Sequence, residues 1–131
     1  MTYEWREHTA EVELHVDAET EADVFREALD AFGRLVELEP GGEHAHHDVQ
    51  LEAADRGSLL VAWLEELIYL ADTDSFVPDR AAELHLFDGG LSARLDGRRA
   101  DVDPLVKAAT YHGLGFTHDE GRWRARVVLD V

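Results

Sequence analysis

The last two residues of the chain bring two negative charges close together, because the Asp130 carboxylate lies beside the α-carboxylate of Val131. Residues 121–131 predict a half-buried β-strand, since apolar and polar side chains alternate along them. The apolar side consists of Trp123, Ala125, Val127, Leu129 and Val131, and the polar side of Arg122, Arg124, Arg126 and Asp130, with Val128 as the exception. Two carboxylates at the end of a packed strand repel each other unless a hard cation or N–H donors lie there. A strand whose last two residues simply reach water is the simpler interpretation of this pattern alone.

A histidine-rich segment offers a second set of candidate metal ligands, formed by His44, His46, His47 and Asp48. His44 and His46 share a face if a strand already runs here, and that spacing is compatible with a transition metal. The segment directly follows Pro-Gly-Gly, however, and carries no other fixed ligand. We therefore interpret it as a solvated loop that enters a strand.

The remaining polar groups predict no catalytic set. One acidic cluster lies near the end of a predicted helix, at Glu65, Glu66, Asp72 and Asp74. Carboxylates in that position oppose the helix dipole, and their order lacks the Gly and bidentate Glu of a calcium loop. Tyr111 beside His112 is suggestive of acid–base chemistry, but such a pair in a strand more often packs with a single hydrogen bond.

Acidic residues dominate the composition. Asp and Glu number 29 against 12 Lys and Arg, for a formal net charge of −17, and Lys107 is the only lysine. This charge repels phosphate backbones, which argues against direct tight binding of nucleic acid. An acidic excess with almost no lysine is typical of adaptation to high salt, where self-repulsion is screened. We expect Arg122, Arg124 and Arg126 to pair with carboxylates on neighbouring strands.

Length and composition predict a single domain over residues 1–131, large enough to bury a core. The absence of cysteine excludes a disulfide framework, a thiolate zinc site and a cysteine nucleophile. No apolar run approaches the length of a membrane span, and the first residues do not resemble a signal peptide. We therefore expect a cytoplasmic protein without membrane contact.

The apolar spacing predicts an α+β fold, with two amphipathic helices packed on a mixed or antiparallel β-sheet of about seven short strands. Helical spacing covers residues 21–38 and about 57–71. Thr20 and Asp23 lie at the start of the first of these helices in the manner of a capping box. Strands are predicted at 11–16, 49–53, 82–86, 91–95, 105–111 and 114–117, besides the closing strand. Turns are predicted at 88–90, 96–97 and 119–121, and Pro78 predicts a loop.

Three separated stretches together resemble the archease family. Glu7-His8-Thr9-Ala10-Glu11-Val12 resembles its His-Thr-Ala-Asp signature, and residues 58–73 look like its central helix. Lys107-Ala108-Ala109-Thr110-Tyr111-His112, followed by Gly121-Arg122-Trp123 and a strand ending in Asp-aliphatic, is similar to its C-terminal half. The three matches occur in order and span nearly the whole chain, so the domain is expected to be archease-like.

The resemblance implies an accessory protein and not an enzyme. Archeases assist the GTP-dependent RNA ligase that joins tRNA halves after intron removal, by promoting guanylylation of the ligase and multiple turnover. The family is also described as binding a divalent ion, typically calcium, with Mg²⁺ or Mn²⁺ as alternatives. Carried over residue by residue, its ligands fall on Glu11, Asp130 and Val131. Glu11 stands where the family usually has Asp, and the flexible coordination of calcium tolerates the added methylene better than the octahedron of magnesium does.

Within the resemblance, His8 and Thr9 have two interpretations. Either they orient the acidic residue or contact the ligase, or Thr9 caps a turn and His8 bonds to backbone before the first strand; we favour the structural interpretation. Two other functions stay open. One is a chaperone of a tRNA-modifying enzyme such as a methyltransferase, and the other is a stand-alone metal-dependent hydrolase with His112 beside Tyr111 as its base.

Overall fold

Strands and helices alternate along most of the chain. The structure, a computed structural model, describes residues 1–8, 11–36, 42–100 and 106–131, with the backbone alone for 6–8. Within these ranges the elements are β1 (Thr2–His8), β2 (Glu11–Ala18), α1 (Glu21–Val36), β3 (Glu43–Glu52), α2 (Arg56–Asp74), β4 (Phe76–Phe87), β5 (Gly90–Arg99), β6 (Ala108–Asp119) and β7 (Arg122–Asp130).

The described strands form two antiparallel sheets instead of one. The first has the order β1-β2-β7-β6 and the second the order β3-β5-β4. Helix α1 packs on β2 and β4, and α2 packs on β6 and β4, so each helix contacts both sheets. The prediction of an α+β fold with two helices and about seven antiparallel strands is confirmed for the described residues. The strands divide between two sheets, and they are longer than predicted, at 7 to 12 residues. Helices with apolar side chains on more than one side require more than one sheet to cover them.

Helix α2 is the most apolar element and has a defined cap at each end. The Asp55 carboxylate accepts the Ser58 N–H at 2.7 Å, and Ser75, in the left-handed region at φ 52°, donates its N–H to the Leu70 carbonyl. Its buried residues are Gly57, Leu59, Leu60, Val61, Trp63, Leu64, Leu67, Ile68 and Leu70. Their spread around the helix explains why α2 contacts β3, β4, β5 and β6.

Helix α1 begins where the sequence predicts. The Thr20 hydroxyl accepts the Asp23 N–H at 3.1 Å, which confirms Thr20 as the N-cap. The buried face of α1 carries Val24, Phe25, Ala28, Leu29, Ala31 and Phe32, and with them one carboxylate, Glu27. Burial, with repulsion by Asp30 as a smaller cause, raises the pKa of Glu27 above its ordinary value of 4.5.

The substitution Glu27→Gln is expected to raise the melting temperature at pH 7 and to leave it nearly unchanged below pH 4.5. A carboxyl whose pKa is higher in the folded state binds its proton more tightly there, so stability falls as pH rises from the unfolded pKa through the folded one. Gln does not titrate, so the variant avoids this loss of stability as pH rises. Thermal unfolding at both pH values measures the effect, and Glu52→Gln on the exposed end of β3 is the control. A Glu27→Gln variant less stable than the native chain at pH 7 contradicts the prediction.

Two of the three predicted turns, at 88–90 and 119–121, are confirmed. Asp88 and Gly89 join β4 to β5, with Gly89 at φ 82°. Glu120 and Gly121 join β6 to β7 with φ values of 51° and 73°, and positive φ at both central residues matches the right-handed twist of the flanking strands.

The turn predicted at Asp96-Gly97 is wrong, because β5 continues to Arg99. A Cβ at Gly97 would lie 2.7 Å from the Pro78 Cα and closer still to the Val77 carbonyl oxygen. Glycine is therefore required here for the close approach of β4. The loop predicted at Pro78 is also wrong: Pro78 lies in β4, at a register shift that tolerates its missing N–H.

Two further strand predictions need correction. Strand β1 was not predicted, although Tyr3 and Trp5 are half-buried and pack against the core with period two. The segments 105–111 and 114–117 were predicted as two strands, and the described residues 108–119 form one strand, β6. Its pairing with β7 is interrupted between Thr110 and Gly115, and the extra residues there break the sequence alternation.

Candidate metal-binding site

Strands β2 and β7 are neighbours, and their register places Glu11 directly opposite Asp130. Directly opposed residues of an antiparallel pair project their side chains to the same face of the sheet, with Cα atoms about 4.5–5.5 Å apart. Two carboxylates that are 119 positions apart in the sequence therefore meet at one end of the sheet. Val131 follows Asp130 immediately, and all three residues are half-buried.

The backbone of Asp130 is fixed from its other side. Asp130 is in register with Ala108 of β6, and its carbonyl accepts the Lys107 N–H at 2.8 Å. Glu11 is likewise held between two strands, because β1 places His8 opposite it. Paired backbone on both sides limits how far either carboxylate can move away from the other. We call Glu11, Asp130 and Val131 the carboxylate tip.

Charge compensation differs sharply between the carboxylate tip and the rest of this face. The Arg126 guanidinium contacts the carboxylate of Glu13, whose side chain is 7% exposed. Arg122 lies 2.8 Å and Arg124 3.6 Å from the Asp17 carboxylate. These contacts confirm the predicted pairing of the three arginines, and the hydrogen bond from Arg122 holds the pKa of Asp17 below its usual range.

Among the described side chains, by contrast, neither Glu11 nor Asp130 has an ion-pair partner. No three His, Asp or Glu side chains of the described residues converge at metal-binding distance. Within the described part of the chain, the tip offers two side-chain carboxylates, and the backbone or Val131 can supply a third oxygen group. Hard oxygen donors without their own cation suit Ca²⁺ or Mg²⁺ and not a thiophilic metal.

The structure describes only part of the two residues that are predicted to support the site. The backbone of His8 lies in β1 opposite Glu11, while its side chain and the whole of Thr9 lie outside the described residues. Their predicted structural role stays a prediction.

The histidine-rich segment is a strand, so its interpretation as a loop is wrong. His44, His46 and His47 lie in β3, paired with β5. His44 and His46 are exposed. His47 faces inward, with its ring centroid 4.6 Å from that of Phe76 and its Nε2 3.9 Å from the Asp74 carboxylate. The histidines therefore divide between the two faces of the sheet.

The acidic cluster on α2 has one structural role that the sequence does not reveal. The Glu65 carboxylate accepts the Ala109 N–H at 2.9 Å and so satisfies the edge of β6. Residues 44 positions apart give no local signal of this bond. Tyr111 and His112 are both exposed where the pairing of β6 is interrupted, and no described hydrogen bond joins them into an acid–base pair.

Comparison with known proteins identifies the family. The sequence profile of the Archease protein family matches residues 3–131. The chain belongs to the archease family. Protein archease of Methanosarcina mazei is 32% identical over 139 residues, covering 98% of this chain and 95% of that protein. Protein archease of Methanopyrus kandleri is 31% identical over 141 residues and covers both chains completely.

Solved structures agree with this membership. The solution structure of protein 1598 from Methanobacterium thermoautotrophicum matches with a TM-score of 0.72 and 25% identity, over 98% of each chain. The crystal structure of an archease, possible chaperone, from Thermotoga maritima matches in fold with a TM-score of 0.67 and 20% identity, over 96% of this chain and 94% of that one. None of the described archease helices is both long and apolar enough to cross a membrane.

Proposed function

We propose that this archease is a cytoplasmic accessory protein of a GTP-dependent RNA ligase that joins tRNA halves. It promotes guanylylation of the ligase and its multiple turnover, and it is not itself an enzyme. The carboxylate tip holds a divalent ion, Ca²⁺ in preference to Mg²⁺ or Mn²⁺. The observation that carries the proposal is the register of Glu11 against Asp130, two carboxylates without a cationic partner among the described residues.

The donor chemistry of the tip supports a calcium ion. Glu11, Asp130 and the α-carboxylate of Val131 supply only oxygen ligands, which hard cations prefer. Glu11 is longer than the Asp usual in the family, and calcium accepts variable ligand distances, so the site survives with altered affinity. All three residues are half-buried, and partial burial weakens solvent screening of a charge and so favours a bound cation.

The tip residues act by holding charge in a fixed position. A bound divalent ion neutralises phosphate charge and orients a triphosphate. Glu11 and Asp130 keep that charge at the end of a rigid sheet, where it can face the nucleotide pocket of the ligase. Positioning and electrostatics supply most of the catalysis in phosphoryl and nucleotidyl transfer, so the protein needs no nucleophile of its own.

The charge of the archease supports a protein partner. With a formal net charge of −17 the chain repels RNA and attracts a basic protein surface. High salt screens this attraction beyond a few ångströms, so contacts at short range carry the specificity in a halophilic cell.

The direct test combines the purified archease with its ligase, GTP and RNA ends in excess over ligase. We expect a single turnover from the ligase alone and many turnovers when archease is added. Removal of bound divalent ions from the archease is expected to remove the effect, and adding Ca²⁺ back in one arm is expected to restore it. Unchanged ligase turnover in the presence of archease contradicts the proposal.

The second candidate is a chaperone of a tRNA-modifying enzyme such as a methyltransferase. The Thermotoga maritima archease is described as a possible chaperone, and this favours the second candidate. Affinity capture from cell extract separates the candidates by which partner is recovered, the ligase or the modifying enzyme.

A further inference from the structure

Two exposed tyrosines lie along the contact between α2 and β6. Tyr69 is 56% exposed and Tyr111 is 63% exposed, although most large apolar side chains of the described residues are buried. Tyr69 lies one helical turn after Glu65, and Tyr111 lies two residues after Ala109. Glu65 and Ala109 are joined by the 2.9 Å hydrogen bond. Both tyrosines therefore lie close to the hydrogen bond between Glu65 and Ala109.

The direction of β6 along α2 fixes their arrangement. A Cβ at Gly57, near the start of α2, would lie 3.2 Å from the Leu114 side chain. Ala109 meets α2 further along, at Glu65. Strand and helix thus run antiparallel, and the tyrosines lie on opposite sides of the Glu65–Ala109 bond, about 12 Å apart along the helix. We call Tyr69, Tyr111 and the surface between them the tyrosine seam.

The tyrosine seam adjoins the carboxylate tip. Lys107, two residues before Ala109, donates its N–H to the Asp130 carbonyl at 2.8 Å. The seam therefore lies near the end of the sheet at which Glu11 and Asp130 meet, while the two carboxylates project from the face opposite to the one that the helices cover.

A partner at the seam is recognised through side chains and not through strand addition. Strand β6 is an edge of its sheet, and an open edge invites another strand. The Ala109 N–H is already bonded to Glu65, so an added strand cannot pair at this point. Strand addition by a second copy of the chain is therefore blocked at Ala109.

The negative charge beside Tyr69 favours a basic protein surface over RNA as the partner of the seam. Glu66 and Asp72 lie three residues before and after Tyr69, so they share its side of α2. Among the described side chains neither has an ion-pair partner at 4.0 Å or less. These carboxylates repel phosphate, whereas arginine side chains pair with them and stack on the exposed tyrosine rings.

We propose that the tyrosine seam binds a basic, arginine-bearing surface of the RNA ligase. This rests on the proposed function and adds the surface by which the ligase is held while the carboxylate tip faces its nucleotide pocket. Tyrosine is enriched among the residues that dominate binding energy at interfaces. The seam therefore sets affinity for the ligase, and the tip sets turnover.

The test measures binding of immobilised ligase to archease, and ligation turnover at saturating archease. The double variant Tyr69→Ser with Tyr111→Ser is expected to weaken binding about tenfold or more, with turnover at saturation retained. Tyr69→Phe with Tyr111→Phe keeps both rings and is expected to bind within about threefold of the native chain. His85→Ser removes an exposed ring from the outer face of β4, in the other sheet, and is expected to change nothing.

The possible outcomes are separable. If native archease binds and activates the ligase but the Ser variant binds equally well, the seam proposal is overturned and the proposed function stands. The seam proposal is also overturned if the Ser variant keeps ligase binding but loses binding to single-stranded RNA or loses self-association. If native archease neither binds nor activates the ligase, both proposals fail together.

Discussion

Asp130→Ala is expected to abolish multiple turnover by the ligase while leaving the archease folded. The substitution removes one of the two side-chain carboxylates that the β2–β7 register brings together. Changes even to groups outside the ligand shell cost about 10–100-fold in metal affinity, so loss of a ligand costs at least that much. Calcium titration of the purified chain and the ligation assay measure the two parts of the prediction.

Asp48→Ala is the matched control for Asp130→Ala. It removes the same charge from an exposed strand position in the other sheet, so the net charge of the two variants is equal. It is expected to keep both calcium affinity and turnover. Equal turnover by the Asp130→Ala variant and the native chain removes the carboxylate tip from the proposed mechanism. Equal loss in both variants assigns the effect to overall charge.

Trp63→Ala is expected to destabilise the fold by about 3–5 kcal/mol. Trp63 is fully buried in α2, and its ring packs edge-on against Phe25 of α1 with centroids 6.3 Å apart. Its indole N–H donates to the Phe25 carbonyl oxygen at 2.9 Å. The variant loses the apolar contacts, leaves a cavity where the two helices meet, and loses this hydrogen bond. For a domain of this length the melting temperature is expected to fall by roughly 10–20 °C.

Trp123→Ala is the matched control for Trp63→Ala, since it makes the same change at a half-buried position. Trp123 stacks on exposed His118 with centroids 4.0 Å apart and contacts Phe116 at 6.0 Å. Solvent fills the space left by this ring, so a loss of about 1–2 kcal/mol is expected. Thermal unfolding in one common buffer measures both variants. A Trp63→Ala loss no larger than that of Trp123→Ala contradicts the assignment of Trp63 to the centre of the core.

Local sequence signals predict correctly the elements whose structure depends only on nearby residues. Thr20 caps α1, Asp88-Gly89 turns the β4–β5 hairpin, and β7 alternates as its residues indicate, because each depends only on residues a few positions apart. The same local rules mislead at Gly97. Glycine is read as a turn from the sequence, whereas a strand approaching from 20 positions away is what requires it.

The sequence by itself determined the α+β class, both helices, the acidic surface and, through three matching stretches, the archease resemblance. Only the tertiary structure decided that the strands form two sheets and that Glu65 accepts the Ala109 N–H on the edge of β6. It also placed Glu11 opposite Asp130. Strand order and register depend on contacts between residues far apart in the chain. The period-two alternation of a strand is the same whichever strand lies beside it, so it predicts neither order nor register. The sequence pattern can therefore suggest which carboxylates matter, but the pairing of β2 with β7 decides that they meet.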